Sequence, residues 1–107
     1  MAVQEITIDE LAERRPTGRL LIDVRQPDEY VDGHVPGAVL VPLDEVPDRV
    51  EELRTLAPFD VICRTGSRSL RAAEYLDTMG IEATNVVGGT LAWVIEGHPV
   101  SVGVQPE

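Results

Sequence analysis

The residues best suited to chemical reaction lie together at positions 63–69, which read Cys-Arg-Thr-Gly-Ser-Arg-Ser. They follow an apolar run and precede a helical pattern, so Cys63 is predicted at the carboxyl end of a strand and beside a helix N-terminus. The unpaired N–H groups of such a helix and loop can converge on the sulfur and on an anion beside it. Their partial positive charge favours the thiolate and lowers the pKa of Cys63.

The residues around Cys63 are suited to a small anion. Thr65, Gly66 and Ser67 are small enough for the backbone to form a cradle, and Gly66 permits the positive φ that a tight loop needs. Residues 63–71 carry three arginines and no acid, a local charge of +3 on a chain of formal net charge −10. This distribution predicts attraction of an anion to the mouth of the site. Arg71, one turn into the helix, is expected on the solvated surface.

A lone cysteine at the end of a buried strand also has an ordinary explanation, as a small apolar core residue. The small-residue loop, the helix start and the arginines together favour the reactive interpretation here. One cysteine excludes an intramolecular disulfide, and with two distant histidines it makes no convincing metal site. We therefore expect neither a metal nor a cofactor.

The elements that must position this loop are short and alternate along the chain. Continuous apolar runs predict strands, and periodic patterns predict helices between them. The predicted strands are residues 20–22, 38–41, 61–63 and 86–87, with a weaker edge strand at 4–6. The predicted helices are residues 8–14 behind a Thr7–Glu10 capping box, 46–57, 67–79 and 90–95. This order is typical of an α/β fold with a parallel sheet, helices on both faces, and ligands bound beyond the carboxyl ends of the strands.

Length and composition limit the classes of protein that remain. The 107 residues predict a single domain over 1–107, with its core at about 6–100 and a short loose C-terminal tail from residue 101. The acidic charge argues against nucleic acid or an anionic membrane as partner, and no apolar run is long enough to span a bilayer. The single cysteine and the absence of basic residues in positions 1–10 predict a cytoplasmic protein.

Three ordered segments together resemble the single-domain rhodanese-like sulfurtransferases, over about residues 6–100. The first is Leu-Ile-Asp-Val-Arg at 21–25 with Glu-Tyr at 29–30 and Gly-His-Val-Pro-Gly-Ala at 33–38. The second is the loop at 61–69, and the third is Asn-Val-Val-Gly-Gly at 85–89 with Ala-Trp at 92–93. The resemblance implies a five-stranded parallel sheet. It also implies a cysteine that takes a sulfane sulfur from an anionic donor such as thiosulfate and holds it as a persulfide.

The resemblance also assigns roles to individual residues. Cys63 matches the sulfur-carrying nucleophile, and Asp23 and Arg25 match positions that order the site, although a purely structural ion pair is an equal alternative. The anion-cradling loop corresponds to Arg64, Thr65, Gly66, Ser67, Arg68 and Ser69. Within that loop, Arg68 is the best candidate for pairing with a sulfonate-like group. His34 and Trp93 are expected to be structural.

Without a second cysteine, the chain must pass its sulfur to an external acceptor, such as cyanide, a thiol or a partner protein. Two rival functions stay open from the sequence. One is a non-catalytic rhodanese-like module that binds a partner or senses redox state. The other is a phosphatase or arsenate reductase of the same fold, disfavoured because four rather than five residues separate Cys63 from Arg68 and the loop carries no acid.

Overall fold

Five strands form one parallel sheet in the computed structural model, which describes residues 3–107. The strands are β1 (Glu5–Ile6), β2 (Leu21–Asp23), β3 (Val39–Leu40), β4 (Phe59–Ile62) and β5 (Ala83–Val86). Their order across the sheet is β1-β5-β4-β2-β3, so β4 is central and β1 is an edge strand. The prediction of a five-stranded parallel sheet is confirmed, including the edge position of its first strand.

Five α-helices connect and cover the strands. They are α1 (Ile8–Arg14), α2 (Pro27–Asp32), α3 (Val50–Leu56), α4 (Ser67–Thr78) and α5 (Gly89–Ile95). The predicted capping box opens α1, because Thr7 Oγ1 accepts from the Glu10 N–H at 3.2 Å while Glu10 Oε1 accepts from the Thr7 N–H at 3.0 Å. No helix among residues 3–107 is long and apolar enough to cross a membrane.

The sheet separates two apolar clusters, because successive strand residues point to opposite faces. On β2, Ile22 faces a cluster that includes Leu53 of α3 and Leu76 of α4. Leu21 faces the other cluster, which is built from α1, α2 and α5 and includes the predicted core residue Trp93. Both faces of the central strands are therefore covered, which explains their continuous burial.

One helix prediction was wrong in detail, and one helix was not predicted. The predicted helix at 46–57 is a 3₁₀ turn (Pro47–Arg49) followed by α3, with a second 3₁₀ turn (Leu43–Glu45) before it, because Pro47 lacks the N–H that a continuous helix needs. The helix α2 was not predicted, since six residues are too few to show a periodic pattern. Its start is nevertheless marked by Pro27 at the first turn and by Glu29, whose carboxylate accepts from the Gln26 N–H at 3.1 Å.

The C-terminal segment is bound to the domain, not loose as expected. His34 and Ser101 exchange two backbone hydrogen bonds of 2.9 and 2.8 Å, and the Gly37 N–H donates to the carbonyl of Pro106. The His34 ring, fully buried and stacked on Tyr30, lies 2.9 Å from the carbonyl oxygens of Gln105 and Pro106. The structural role predicted for His34 is therefore confirmed: the tail supplies the partners of Nε2, and the Tyr30 carbonyl lies 2.8 Å from Nδ1.

Candidate functional site

The predicted loop lies at the carboxyl edge of the sheet, between the central strand β4 and the helix α4. Cys63 directly follows β4, and Gly66, at φ +109°, turns the chain into α4, which begins at Ser67. A left-handed φ of this size is costly for any residue with a Cβ, which explains the glycine. The predicted strand–loop–helix arrangement around Cys63 is confirmed.

The first residues of α5 donate hydrogen bonds to two backbone carbonyls of the loop and so fix the orientation of its peptide planes. The Thr90 N–H donates to the Cys63 carbonyl at 2.8 Å, and the Leu91 N–H donates to the Arg64 carbonyl at 3.0 Å. Gly89 allows this close approach, since a Cβ there would lie 2.4 Å from the Arg64 carbonyl oxygen. With these carbonyls held on the α5 side, the N–H groups of the loop remain available to the sulfur.

The Cys63 sulfur is the focus of the loop hydrogen bonds. Its Sγ accepts from the Gly66 N–H at 3.1 Å and from the Ser69 hydroxyl at 3.3 Å. Burial raises the pKa of the thiol, but the Ser69 hydroxyl and the N–H groups of Ser69, Gly66 and Thr65 together outweigh it, so the pKa of Cys63 lies below its ordinary value. Cys63 is only 1% exposed, so its sulfur is enclosed as well as polarised.

The arginine expected to pair with an anion already has a carboxylate partner. Arg68 forms a bidentate pair with Glu29 of α2, with distances of 2.8 and 2.9 Å. This hydrogen-bonded pairing lowers the pKa of Glu29 to about 2 and raises the pKa of Arg68, to which the charge of Cys63 also contributes. The local charge of +3 read from the sequence is thus partly neutralised by an acid from another element.

Asp23 and Arg25 form a buried ion pair beside the loop. Arg25 Nη2 lies 2.8 Å from Asp23 Oδ2, and a second bond of 2.8 Å runs from Nη2 to the Gly33 carbonyl at the end of α2. Asp23 is fully buried and Arg25 is 5% exposed. The pair joins the carboxyl end of β2 to the end of α2, the helix that also carries Glu29. These bonds hold α2 against the end of β2.

The exposed part of the loop borders an open cleft. The side chains of Arg64, Thr65 and Ser67 are exposed, and within residues 3–107 Arg64 has no ion-pair partner. A cleft of about 310 Å³ lies against the loop. Arg25, Glu29, Asp32, Arg64, Leu91 and Val94 contribute to its walls. The cleft therefore offers one unpaired cation, Arg64, and an apolar wall next to the residue that follows Cys63.

Sequence reasoning missed two residues that touch the loop. Glu29 was noted only as part of a motif, although it holds Arg68. Asn85, on β5, is 1% exposed and its Oδ1 lies 2.5 Å from the Ser69 hydroxyl. A buried amide on a central strand needs hydrogen-bond partners, and that is the signal that could have identified Asn85.

A separate group of possible metal ligands lies away from the loop. Asp9, Glu96 and His98 each offer a ligand atom, and these atoms lie within 4.8 Å of one another. The hydrogen bond with Asp9 raises the pKa of Glu96. Counting only cysteine and histidine in the sequence overlooked this group, because its members come from the two ends of the chain. It shares no residue with the Cys63 loop.

The comparison with known proteins identifies the family. The rhodanese-like domain matches residues 7–96, and the chain belongs to this family. The protein YtwF of Bacillus subtilis is 36% identical over 101 residues, covering 92% of this chain and 98% of that protein. A protein of Allochromatium vinosum named sulfurtransferase is 34% identical over 108 residues, covering 98% of both. The crystal structure of a rhodanese-related protein from Thermoplasma volcanium superposes with a TM-score of 0.85 at 30% identity, covering 92% of this chain and 98% of that one.

Proposed function

We propose that this protein is a sulfurtransferase that carries sulfane sulfur on Cys63. The observation that carries the proposal is the hydrogen bonding of the Cys63 sulfur by the Gly66 N–H and the Ser69 hydroxyl, which favours the thiolate. A thiolate is the nucleophile required to attack an electrophilic sulfur. The membership of the family and the relative named sulfurtransferase support the same reaction class.

The first half of the reaction loads sulfur from an anionic donor such as thiosulfate. The Cys63 thiolate attacks the outer sulfur, a new S–S bond forms at Sγ, and the S–S bond of the donor breaks. Sulfite leaves with the electron pair, and Cys63 is left as a persulfide. Arg64 is the exposed cation suited to contact the donor, whereas Arg68 contributes charge from the position in which Glu29 holds it.

The second half of the reaction unloads the sulfur to an external acceptor. Cyanide, a thiol or a partner protein attacks the terminal sulfur, and the electron pair of the S–S bond returns to Sγ. Because Cys63 is the only cysteine in the chain, no internal thiol resolves the persulfide. We place this chemistry in the cytoplasm, whose reducing conditions keep a lone thiol available.

The direct assay is the formation of thiocyanate from thiosulfate and cyanide. We expect turnover by the native protein and none by Cys63→Ser, whose oxygen does not form a persulfide. Arg64→Gln should raise the KM for thiosulfate more than it lowers kcat, since the unpaired guanidinium acts on donor binding.

Hydrolysis of an aryl phosphate that depends on Cys63, without thiocyanate formation, would overturn the proposal in favour of a phosphatase. Oxidation of Cys63 without sulfur transfer would overturn it in favour of a redox sensor.

A further inference from the structure

A chain of hydrogen bonds leads from the Cys63 sulfur to the edge of the sheet. The Ser69 hydroxyl lies 3.3 Å from Sγ and 2.5 Å from Asn85 Oδ1. The Asn85 amide nitrogen donates to Glu5 Oε2 at 2.7 Å and to the Gly66 carbonyl at 3.3 Å. Glu5 is exposed on β1, so the chain joins the enclosed sulfur to a carboxylate at the surface.

The orientation of the Asn85 amide is fixed by its partners. Glu5 and the Gly66 carbonyl are both acceptors, so the amide nitrogen must face them and Oδ1 must face Ser69. Glu5 is available for this role because β1 pairs with β5 in the register that sets Glu5 opposite Asn85. Because Oδ1 has no hydrogen to give, it can only accept from Ser69.

The Ser69 hydroxyl therefore has two competing acceptors for its one hydrogen bond, Cys63 Sγ and Asn85 Oδ1. In the thiol state, Cys63 S–H can donate to Ser69 Oγ while Ser69 donates to Asn85 Oδ1, and every group is satisfied. In the thiolate state, the sulfur needs a hydrogen bond from the Ser69 hydroxyl, and turning the hydroxyl towards the sulfur leaves the Asn85 oxygen, on a side chain only 1% exposed, without that donor. An unsatisfied buried acceptor carries a free-energy cost, which opposes ionisation.

We propose that Asn85 is a positioning residue that competes with the Cys63 sulfur for the hydroxyl proton of Ser69, with Glu5 holding the Asn85 amide in the competing orientation. The competition makes Cys63 a weaker acid than the loop N–H groups and Ser69 alone would make it. If Cys63 transfers sulfur as proposed above, the competition also favours the persulfide over the thiolate. In the persulfide Sγ carries no charge, so the Ser69 hydroxyl can again donate its hydrogen bond to Asn85.

The other charged groups near the loop do not account for this effect, and Arg64, the neighbour of Cys63, is exposed and has no side-chain hydrogen bond or ion pair within residues 3–107. Arg68 interacts with the charge of Cys63, but its own partner is Glu29. Asp23 is paired with Arg25. None of these four side chains has a hydrogen bond to Ser69 or Asn85 among those found in residues 3–107. Substitutions at Asn85 and Glu5 therefore leave the ion pairs around Cys63 in place.

The test is a titration of Cys63 by the ultraviolet absorbance of its thiolate, which arises from one residue because the chain has one cysteine. Asn85→Leu keeps similar volume and removes the acceptor, so the pKa of Cys63 should fall by about one unit. Glu5→Leu should also lower the pKa of Cys63, because the amide is then held only by its longer 3.3 Å bond to the Gly66 carbonyl and can turn its nitrogen towards Ser69. Glu5→Gln keeps an acceptor for the amide and should leave the pKa unchanged. If Asn85→Leu does not fold, as judged by circular dichroism, the two Glu5 variants carry the test.

The control places Asn85→Leu and Glu5→Leu in a Ser69→Ala background. Without the hydroxyl there is no proton to compete for, so Asn85→Leu and Glu5→Leu should no longer move the pKa of Cys63. An unchanged or raised pKa of Cys63 in Asn85→Leu or Glu5→Leu would overturn the proposal, as would a shift of equal size in the Ser69→Ala background. The titration does not depend on sulfur transfer, so its failure is distinguishable from failure of the proposed activity.

Discussion

The pair between Glu29 and Arg68 is expected to stabilise the protein in a pH-dependent way. The pKa of Glu29 falls from 4.5 to about 2 on folding, which corresponds to an upper limit of about 3 kcal/mol at pH 7. The two side chains are 31% and 28% exposed, so screening by solvent reduces the contribution to about 1–2 kcal/mol. Glu29→Gln should therefore lower the free energy of unfolding by about that amount at pH 7.

The pH dependence distinguishes this cause from a general loss of packing. A carboxylate with a depressed pKa stabilises the folded state above the pKa of the unfolded chain, and this stabilisation is lost as the pH falls from 4.5 towards 2. The difference between the native protein and Glu29→Gln, measured by urea unfolding, should therefore shrink over that range. Glu52→Gln, which removes a similar pair with Arg49 on an exposed helix surface, should have a smaller effect. Equal stability of Glu29→Gln and the native protein at pH 7, or a difference that persists at low pH, would refute the reasoning.

Three further perturbations test other parts of the structure. Ser69→Ala should raise the pKa of Cys63 by about one unit, measured by thiolate absorbance, because it removes a hydroxyl donor from Sγ. Gly89→Ala should lower the thermal midpoint more than Gly97→Ala, since both have positive φ but only at Gly89 would the Cβ meet backbone atoms. Deletion of residues 101–107 should cost about 2 kcal/mol in urea unfolding, because the His34 ring and backbone lose their partners, and an unchanged midpoint would contradict the bound tail.

The features that could be predicted from the sequence are those encoded over short distances. The loop around Cys63 is one, because its apolar strand, small residues and helix start are consecutive in the chain. The positive φ of Gly66 follows from the same local pattern and is confirmed. The structural role expected for Trp93 is confirmed by its burial.

The features that could not be predicted depend on partners far apart in the chain. Arg68 and Glu29 are 39 positions apart, and nothing near either residue indicates that they pair. The tail has no apolar periodicity, and its binding to His34 depends on backbone carbonyls that any residue type provides. The strand predicted at 86–87 is in fact Ala83–Val86, because polar Thr84 and Asn85, which are buried in β5, interrupt the apolar run on which the prediction was based. Buried polar residues of this kind make a strand hard to predict from its apolar pattern.

The most direct measurement of the proposed chemistry is the intact mass of the protein after incubation with thiosulfate. We predict a gain of one sulfur atom that is removed by cyanide and is absent in Cys63→Ala, since a persulfide is a covalent and reversible modification of that single side chain. A mass unchanged by thiosulfate, or a gain that survives in Cys63→Ala, would contradict the account.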